Sequence, residues 1–309
     1  MSRILVIKLG ALGDFVLAFG PFAAIRAQHP GADLTLLTTA PFAEMARAAP
    51  WFDRVVTDMR PRPWNLAALW RLRRSLRGFD LVYDLQTSGR SGWYFRLAGR
   101  PDWSGIAPGC SRPHANPGRN QMHTLERQRD QLEMAGVAQF PSPDFGWLAS
   151  TPGFDQLGCV ALIPGAAPHR PRKRWPAERF GALAQVLVER GQTPVILGSG
   201  ADTLHAAIIR AACPQAIDLT GRTSLLELGG VLARASLAVG NDTGPTHLAA
   251  ALGIPTIALF SNDSDPALTR PRGDVTVLAA ANLADLPVER VAAALPQVHS
   301  QNLTHLEAL

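Results

Sequence analysis

Lysine and cysteine are both scarce in this chain of 309 residues, and long apolar runs are missing. Of its 30 basic side chains only two, Lys8 and Lys173, are lysines, and the other 28 are arginines. The three cysteines are odd in number, far apart and not in metal-ligand spacing, which excludes a disulfide scaffold and favours a reducing cytosol. Because no run of about 18 uninterrupted apolar residues occurs, we expect no membrane-spanning helix.

The N-terminal stretch MSRILVIKLGALGDFVLAFG is apolar, but it does not have the form of a signal peptide. Lys8 and Asp14 interrupt it, and no clean small-residue cleavage site follows. We therefore interpret it as a buried strand followed by a helix. A hydrophobic content of 47% excludes disorder as the main state, and the length fits one large or two medium domains.

Positive charge is concentrated in the first half of the chain. Residues 1–150 hold 18 Lys+Arg against 12 Asp+Glu, a balance of +6, whereas residues 151–309 hold 12 against 13, a balance of −1. A basic half suits an anionic partner such as nucleic acid, an acidic lipid surface or an anionic sugar. A solvated arginine-rich surface is the alternative interpretation.

Short apolar runs alternate with helical patterns throughout, which is typical of parallel sheets built from βαβ units. We predict one helix over Phe15–Gln28, a proline-rich loop over residues 99–118 and an interdomain linker at Pro141–Gly158. Each half begins with a buried strand that runs into a glycine-containing loop. The pattern predicts two Rossmann-like domains that face each other across a cleft, with ligands at the carboxyl ends of the strands.

The first motif, KLGALGD, connects the first predicted strand to the first predicted helix. Gly10 and Gly13 allow a tight turn and close approach of a ligand. Asp14 lies at the predicted helix start, where free backbone N–H groups cluster, and it is either a simple N-cap or a functional carboxylate. The functional interpretation is a general base at the carboxyl end of a strand.

The second motif, PGAAPHRPRKRWP, follows the first strand of the second half. Four basic residues, Lys173 among them, come after a glycine-containing turn, and Pro176 stands at the first position of the next predicted helix. Such a loop can place a cation against a diphosphate. A solvated basic loop is the alternative.

The third motif, GNDTGPTHLAAALGIPTIALF, is the most specific stretch of the chain. Asp242, Thr243 and Gly244 link a predicted strand to a helix that carries His247 on its first turn. Unpaired N–H groups and the positive end of the helix dipole would there meet a diphosphate. The alternatives are a simple cap for Asp242 and Thr243 and a packed core histidine for His247.

A fourth motif, LGSG, ends a strand just before Asp202, which either accepts a hydrogen bond from a ribose or sugar hydroxyl or caps the next helix. No complete dinucleotide fingerprint and no GK[ST] phosphate loop occurs, which argues against a nicotinamide oxidoreductase. The arginines are dispersed, and we expect no helix with an aromatic and basic face. Nucleic acid is therefore not an expected partner.

Together and in this order, ILVIKLGALGD, KRWP and NDTGPTHLAAALGIPTIALF resemble the ADP-heptose:lipopolysaccharide heptosyltransferase family, glycosyltransferase family 9. The resemblance covers nearly the whole chain. It implies the GT-B architecture, an α/β fold with two Rossmann-like domains whose parallel sheets face a central cleft. The acceptor-binding domain would span residues 1–150 and the nucleotide-sugar-binding domain residues 151–309. The resemblance also implies that no cofactor and no metal are needed, which agrees with the lack of acidic clusters in the sequence.

The same resemblance implies inverting transfer of a heptose from ADP-heptose to the inner core of lipopolysaccharide. Asp14 matches the family's proposed catalytic base, and Lys173 matches the lysine that contacts the donor diphosphate. The other donor-binding positions are Asp242, Thr243, Gly244, His247 and, less closely matched, Asp202. The segment Ala166-Ala167-Pro168 lacks the hydroxyl residues of other members, so backbone N–H groups would have to contact the phosphates there.

An acceptor carried on lipid A, with acidic sugars and phosphates, would suit the basic first half. Our acceptor-side candidates are Arg60, Arg62 and Arg90, with the segment DLQTSGRSGWYF. We expect a cytoplasmic protein, with peripheral contact at the inner membrane left open. Two other functions also stay open: a nucleotide-sugar epimerase or hydrolase of the same fold, and a non-catalytic nucleotide-sugar-binding protein.

Overall fold

Two units share the residues that the computed structural model describes, which are 1–62, 64–151, 157–167 and 170–296. The first unit holds the described residues up to 151 together with Thr223–Ala233 and Asp265–Pro271. The second holds the other described residues. Each unit contains one six-stranded sheet, which confirms the predicted α/β class. The assignment of residues 1–150 to an acceptor and 151–309 to a donor stays a prediction.

The first sheet is parallel and has the spatial order β3-β2-β1-β4-β5-β6. Its strands are β1 (Arg3–Ile7), β2 (Asp33–Thr38), β3 (Arg54–Thr57), β4 (Leu81–Asp84), β5 (Trp103–Gly105) and β6 (Arg112–Pro113). Nearly every residue of β1, β2 and β4 is buried. Continuous apolar sequence in these strands is what a parallel sheet with both faces covered requires.

The second sheet is also parallel and has the order β12-β11-β10-β7-β8-β9. Its strands are β7 (Val160–Ile163), β8 (Pro194–Ile196), β9 (Ile217–Asp218), β10 (Leu237–Asn241), β11 (Thr256–Phe260) and β12 (Val275–Ala279). Numbered within each unit, both sheets have the order 3-2-1-4-5-6. The direction of chain progression therefore reverses between β1 and β4 and between β7 and β10, and ligands of such sheets bind beyond the carboxyl ends of those strands.

Helices connect the strands in both units. Those of the first unit are α1 (Leu12–Val16), α2 (Phe19–Gln28), α3 (Ala40–Ala48), α4 (Leu66–Ser75), α5 (Gly89–Ala98), α6 (Thr124–Met134), α7 (Gly146–Ala149), α10 (Leu225–Ala233) and α12 (Pro266–Thr269). Those of the second unit are α8 (Ala177–Glu189), α9 (Thr203–Ala212), α11 (Gly244–Ala251) and α13 (Val288–Ala293).

Aromatic side chains fix the segments that follow the first strand of each sheet. Phe15 on α1 stacks on Phe42, with ring centroids 4.9 Å apart. Trp175, after β7, is fully buried, packs edge-on against Phe180 and donates its indole N–H to the Leu286 carbonyl oxygen at 2.8 Å. Replacing a buried aromatic of this kind by alanine costs about 3–5 kcal/mol.

The predicted helix over Phe15–Gln28 is wrong as a single element, because α1 and α2 are separate. The amide of Ala18 bonds to the Phe15 carbonyl, three residues back, and this tighter turn ends α1. A second helical ladder then begins at Ala18, whose carbonyl accepts from the amide of Phe22. Asp14 therefore lies on a short helix of its own.

Three other stretches add to or depart from the predicted elements. The glycine-rich sequence GRSGWYFRLA, for which we predicted no element, forms α5, which begins with reciprocal hydrogen bonds between Ser88 and Ser91. The predicted loop over residues 99–118 contains the short strands β5 and β6. The predicted linker Pro141–Gly158 contains α7, whose Leu148 lies against Gly229 of α10, and its residues 152–156 lie outside the described residues.

The expectation that no helix has an aromatic and basic face is also wrong. On α4, Trp70 is 60% exposed and lies among exposed arginines, with the Arg74 guanidinium 5.7 Å from the centroid of its ring. Buried Leu72 and Leu76 lie on the opposite side. Because arginine occurs along the whole chain, the local cluster of arginines on α4 did not stand out in the sequence.

Candidate functional site

Lys8 lies directly beyond the carboxyl end of β1. At this point of the first sheet, the direction of chain progression reverses between β1 and β4. Lys8 Nζ donates to the Leu85 carbonyl oxygen at 3.1 Å, and only 4% of the residue is exposed. The next residue, Leu9, donates its amide to Oε1 of Gln86 at 2.8 Å. These two bonds connect the loop after β1 to the loop after β4.

The charge environment of Lys8 includes the predicted catalytic residue. Burial lowers the pKa of Lys8 to about 8, although the negative charges of Asp14 and Asp84 oppose this shift. Lys8 therefore places a largely desolvated ammonium group near Asp14.

Asp14 is the third residue of α1, and the N-cap position belongs to Ala11, so the N-cap interpretation of Asp14 is wrong. The carboxylate is partly exposed, and it has no hydrogen-bond or ion-pair partner within the described part of the chain. Its neighbour Phe15 is buried and fixes α1 on the domain core. The helix thus holds a free carboxylate at the carboxyl edge of the sheet.

The two loop glycines have different positions. Gly10 has φ +122°, and a Cβ there would lie 2.7 Å from a ring carbon of Phe42, so both backbone conformation and space require glycine. Gly13 is the second residue of α1, and its carbonyl accepts from the amide of Leu17. Only Gly10 forms the turn that the motif predicted.

Asp84, which ends β4, is a buried acid that the sequence motifs did not single out. One oxygen, Oδ1, accepts from the amides of Gln86 and Thr87 at 3.1 and 3.0 Å. The other, Oδ2, has no partner among the described residues. Burial raises the pKa of Asp84 to about 6, although these hydrogen bonds and the charge of Lys8 oppose the shift.

A second acid, Asp58, brings two of the three acceptor-side arginines together. Its Oδ2 accepts from the Tyr94 hydroxyl at 2.6 Å and its Oδ1 from the Arg60 amide at 2.8 Å. Arg90 donates to the Tyr94 hydroxyl oxygen at 3.4 Å. Arg62 does not join this group, because its guanidinium lies 5.4 Å from the centroid of the exposed Trp64 ring.

In the second unit, the loop after β7 and the loop after β10 meet at one carboxylate. Lys173 Nζ and Ser264 Oγ each lie 2.6 Å from Oδ2 of Asp242, and His247 Nε2 lies 3.5 Å from its Oδ1. Burial disfavours the charge of Asp242, but the bonds from His247, Lys173 and Ser264 prevail and lower its pKa to about 2. Asp242 is therefore ionised throughout the physiological range and fixes the ammonium of Lys173.

The start of α11 lies beside this carboxylate. Thr243 occupies the N-cap position without a side-chain cap, because its hydroxyl bonds to the Asn241 carbonyl at 3.3 Å. The side-chain caps predicted as an alternative for Asp242 and Thr243 are therefore absent. Pro245 has no N–H and the His247 amide bonds to the Thr243 carbonyl, so in the first turn of α11 the N–H groups of Gly244 and Thr246 are the ones available to an anion.

Asn241 holds the loops around α11 together, and sequence reasoning missed it. Its Nδ2 donates to the Pro164 carbonyl at 2.8 Å, and its Oδ1 accepts from the Trp175 amide at 3.0 Å. Its own carbonyl accepts from the Thr246 hydroxyl at 2.7 Å. Asn241 is the last residue of β10 and the first residue of the NDTGPTH stretch, and a buried polar residue at such a strand end is the sequence signal for this role.

Asp202 is close to the same group but bonds to its own loop. Its Oδ2 accepts from the amide and the hydroxyl of Ser199 at 2.9 and 2.8 Å, which completes a capping box on the short 3-10 turn Gly200–Asp202. Asp202 also occupies the N-cap position of α9, but its side chain makes no capping bond to that helix. A Cβ on Gly165 would lie 2.9 Å from both carboxylate oxygens, so glycine lets Asp202 approach the loop after β7.

The basic loop contributes one cation to this group. Arg174 donates to the Ala166 carbonyl at 2.8 Å, and Arg172 is exposed. Pro168, one of the positions predicted to lack a phosphate-binding hydroxyl, lies outside the described residues, whereas Ala166 and Ala167 lie within them.

The family model described as glycosyltransferase family 9 (heptosyltransferase) matches residues 69–296. The chain belongs to this family. Relatives include lipooligosaccharide heptosyltransferase 2 of Haemophilus ducreyi, 24% identical over 89% of this chain and 88% of the relative. Lipopolysaccharide heptosyltransferase 1 of Pseudomonas aeruginosa is 28% identical over 88% of this chain and 81% of the relative.

Among solved structures, the Escherichia coli heptosyltransferase WaaC with ADP is similar to this chain with a TM-score of 0.80. The two are 22% identical, and the match covers 94% of this chain and 98% of the other. This similarity confirms the predicted GT-B fold. This chain is thus a glycosyltransferase of the heptosyltransferase family, as the sequence resemblance implied.

Two further findings concern metal sites and membrane-spanning helices. Among the described residues, no group of three or more His, Cys, Asp or Glu side chains is arranged to hold a metal ion. Metal independence nevertheless stays a prediction. None of the described helices combines the length and the apolar character that crossing a bilayer requires.

Proposed function

We propose that this family 9 enzyme transfers a heptose from ADP-heptose to the inner core of lipopolysaccharide with inversion at the anomeric carbon. The observation that carries the proposal is the Lys173–Asp242 ion pair beside the uncapped start of α11. An ammonium and free N–H groups at a strand's carboxyl end are what a departing diphosphate requires.

In the proposed reaction, an acceptor hydroxyl oxygen attacks the anomeric carbon and forms the new glycosidic bond. The bond from that carbon to the diphosphate oxygen breaks, and its electron pair leaves with ADP. Asp14 accepts the hydroxyl proton, and the free carboxylate on α1 suits this role because no protein donor occupies it. One displacement inverts the anomeric centre.

On the donor side, Lys173 would neutralise charge that develops on the leaving oxygen, while α11 would bind the phosphate through the N–H groups of Gly244 and Thr246. Asp242 keeps Lys173 in place, and His247 supports Asp242 from the first turn of α11. Asp202 would accept a hydrogen bond from a ribose or sugar hydroxyl with its Oδ1.

On the acceptor side, we propose that Arg60 and Arg90 bind acidic groups of the core, with Asp58 and Tyr94 as their common support. Arg62 would contact the acceptor from the exposed loop before α4. We further propose that the reaction requires no metal and no cofactor, since Lys173 and α11 supply positive charge at the diphosphate.

The test is a donor screen with ADP-, GDP- and UDP-sugars and a truncated core acceptor, comparing wild type with Asp14→Ala. We expect transfer from ADP-heptose alone, formation of the opposite anomer, and full activity with EDTA. Wild-type transfer that survives unchanged in Asp14→Ala would exclude Asp14 as the base.

A parallel incubation without acceptor separates the two other functions. Prompt release of free heptose or an epimer would favour a hydrolase or epimerase. Tight ADP-heptose binding without turnover on any acceptor would favour a binding protein.

A further inference from the structure

One face of α4 exposes large apolar side chains and arginines together. Its helical members are spaced four, seven and eight residues from the first, so they lie on one side of the helix axis, and Arg77 follows two residues after the helix ends at Ser75. Leu66 is 75% exposed and Trp70 60% exposed. The members of this α4 face are Leu66, Trp70, Arg73, Arg74 and Arg77.

Positive charge on the α4 face is not compensated by the protein. Residues 59–79 contain six arginines and no acidic residue. No arginine of the α4 face forms an ion pair with another described residue. The acids that flank this stretch are Asp58, which accepts from the Tyr94 hydroxyl, and Asp80, which accepts from the Arg3 amide. The α4 face therefore presents a local positive potential to solvent.

The fold itself does not explain this composition. Arg73 and Arg74 lie in the last turn of α4, where the helix dipole favours cations. That effect gives no reason to expose Leu66 and Trp70, whose burial elsewhere would be favourable. A surface partner with both anionic and apolar parts would contact both kinds of side chain.

Between nucleic acid and lipid, the geometry favours lipid. Trp70 and the arginines line an open groove of about 510 Å³, and the Arg74 guanidinium lies over the Trp70 ring, which restricts stacking by a nucleobase. Leu66 adds aliphatic surface, which suits acyl chains near a headgroup layer. Exposed tryptophan with arginine is typical of side chains that lie at a membrane–water interface.

We propose that the α4 face docks the protein on the surface of a bilayer that contains anionic phospholipid. Arg73, Arg74 and Arg77 would contact the headgroup phosphates, and Trp70 and Leu66 would enter the interfacial layer. Docking follows from the α4 face alone, and only its benefit to catalysis rests on the proposed function.

The position of α4 in the first unit explains how docking on a bilayer would help catalysis. α4 follows β3 and begins at Asn65, whose side chain accepts from the Ala68 amide. The connection from β3 carries Arg60 and the 78% exposed Met59. Docking through α4 would therefore bring the carboxyl edge of the first sheet close to an acceptor that is anchored in lipid.

The test is co-sedimentation of the full chain with vesicles of phosphatidylcholine, alone or mixed two to one with phosphatidylglycerol. We expect binding to the mixed vesicles only. Each arginine at an anionic surface contributes about fivefold to the partition coefficient, so Arg73→Ala/Arg74→Ala/Arg77→Ala is expected to lower it about 100-fold. The Trp70→Ser variant tests the apolar part, and we expect it to abolish the binding that resists high salt.

The matched control is Arg47→Ala/Arg96→Ala/Arg100→Ala, which removes the same charge from exposed arginines elsewhere in the first unit that form no ion pair with another described residue. Equal losses in the two triple variants would overturn the proposal, because they would show that net charge alone drives binding. Wild-type binding to neutral vesicles at the same level would also overturn it. So would failure to bind mixed vesicles while a single-stranded oligonucleotide binds through the same arginines.

A transfer assay with a water-soluble, lipid-free acceptor keeps docking separate from catalysis. We expect the α4 triple variant to retain wild-type kcat/KM in that assay. Lost transfer with intact vesicle binding would count against the proposed function, whereas intact transfer without any vesicle binding would count against docking.

Discussion

The two sheets have the same strand order, and each has one of the chain's two lysines in the segment after its first strand, yet the lysines have different surroundings. Lys8 is buried, bonds to a neutral carbonyl, and has its pKa lowered to about 8. Lys173 forms an ion pair with Asp242 and is only partly buried. Equivalent topology therefore places a lysine but does not set its chemistry, which depends on the partner that the fourth strand supplies.

The two units also differ in the acid at the carboxyl end of the fourth strand, which is Asp84, the last residue of β4, in the first unit and Asp242, directly after β10, in the second. Asp242 is bound by three donors and has its pKa lowered to about 2, whereas Asp84 has an unpartnered oxygen and its pKa raised to about 6. Asp14, near Lys8, is free. We conclude that the second unit is organised to hold a fixed cation, and the first to present a carboxylate.

The largest expected effect comes from the first unit. Asp14→Asn keeps the shape of the side chain but removes its capacity to accept a proton, so kcat should fall about 1,000-fold. ADP binding, which we assign to the second unit, should change less than twofold by calorimetry. Weakened ADP binding in this variant would contradict the proposed division between the two units.

Removing the cation of the second unit should have the next largest effect. Lys173→Met keeps the length but not the charge, and loss of one donor to a developing anion typically lowers kcat about 100-fold. ADP affinity should fall as well, since Asp242 would then repel the diphosphate. Arg172→Ala, an exposed cation one residue away, is the control and should show little change.

Lys8 should affect stability above neutral pH rather than ADP binding. Because its pKa is lower in the folded protein than in the unfolded chain, the folded state binds fewer protons between pH 8 and about 10.5. Stability therefore rises with pH across that window, by up to about 3 kcal/mol relative to Lys8→Met. Thermal unfolding of wild type and Lys8→Met at several pH values in this range measures the difference. If the stability of both proteins changes with pH in the same way, Lys8 is not desolvated in the folded state.

The smallest effect concerns the acceptor arginines. Arg90→Ala should raise the acceptor KM about tenfold at low salt, a typical loss for one charge-assisted bond, and the gap should narrow as salt screens the charge. Arg96→Ala, on an exposed turn of the same helix, is the control. A salt-independent acceptor KM in wild type would contradict this assignment.

Motif order and position predicted much of this architecture. Alternation of apolar runs with helical patterns predicted two parallel sheets. The loops of the first three motifs lie beyond the first or fourth strand of a unit, whereas LGSG follows β8, the second strand of its unit. Local sequence carries this information because strand burial and loop glycine content depend on near neighbours. For the same reason the pattern predicted Gly10 but misjudged Gly13.

Contacts between distant residues were beyond the reach of the motifs. Tyr94 and Asp58 are 36 positions apart, and Asn241 and Pro164 are 77 apart. Asp84 is an ordinary strand-end acid until burial shifts its pKa. Such groups become visible only when the sheet order brings their loops together, which spacing in a single sequence does not reveal.

The assignment of α10 and α12 to the first unit bears on how this family can recombine. Leu148 of α7 fills the space beside Gly229, where a Cβ would lie 2.5 Å from a leucine methyl carbon. A chimera that exchanges residues 1–151 alone would set a foreign α7 against this α10. Transplants that also carry Thr223–Ala233 and Asp265–Pro271 preserve the packing, so the natural module for exchange is discontinuous in the gene.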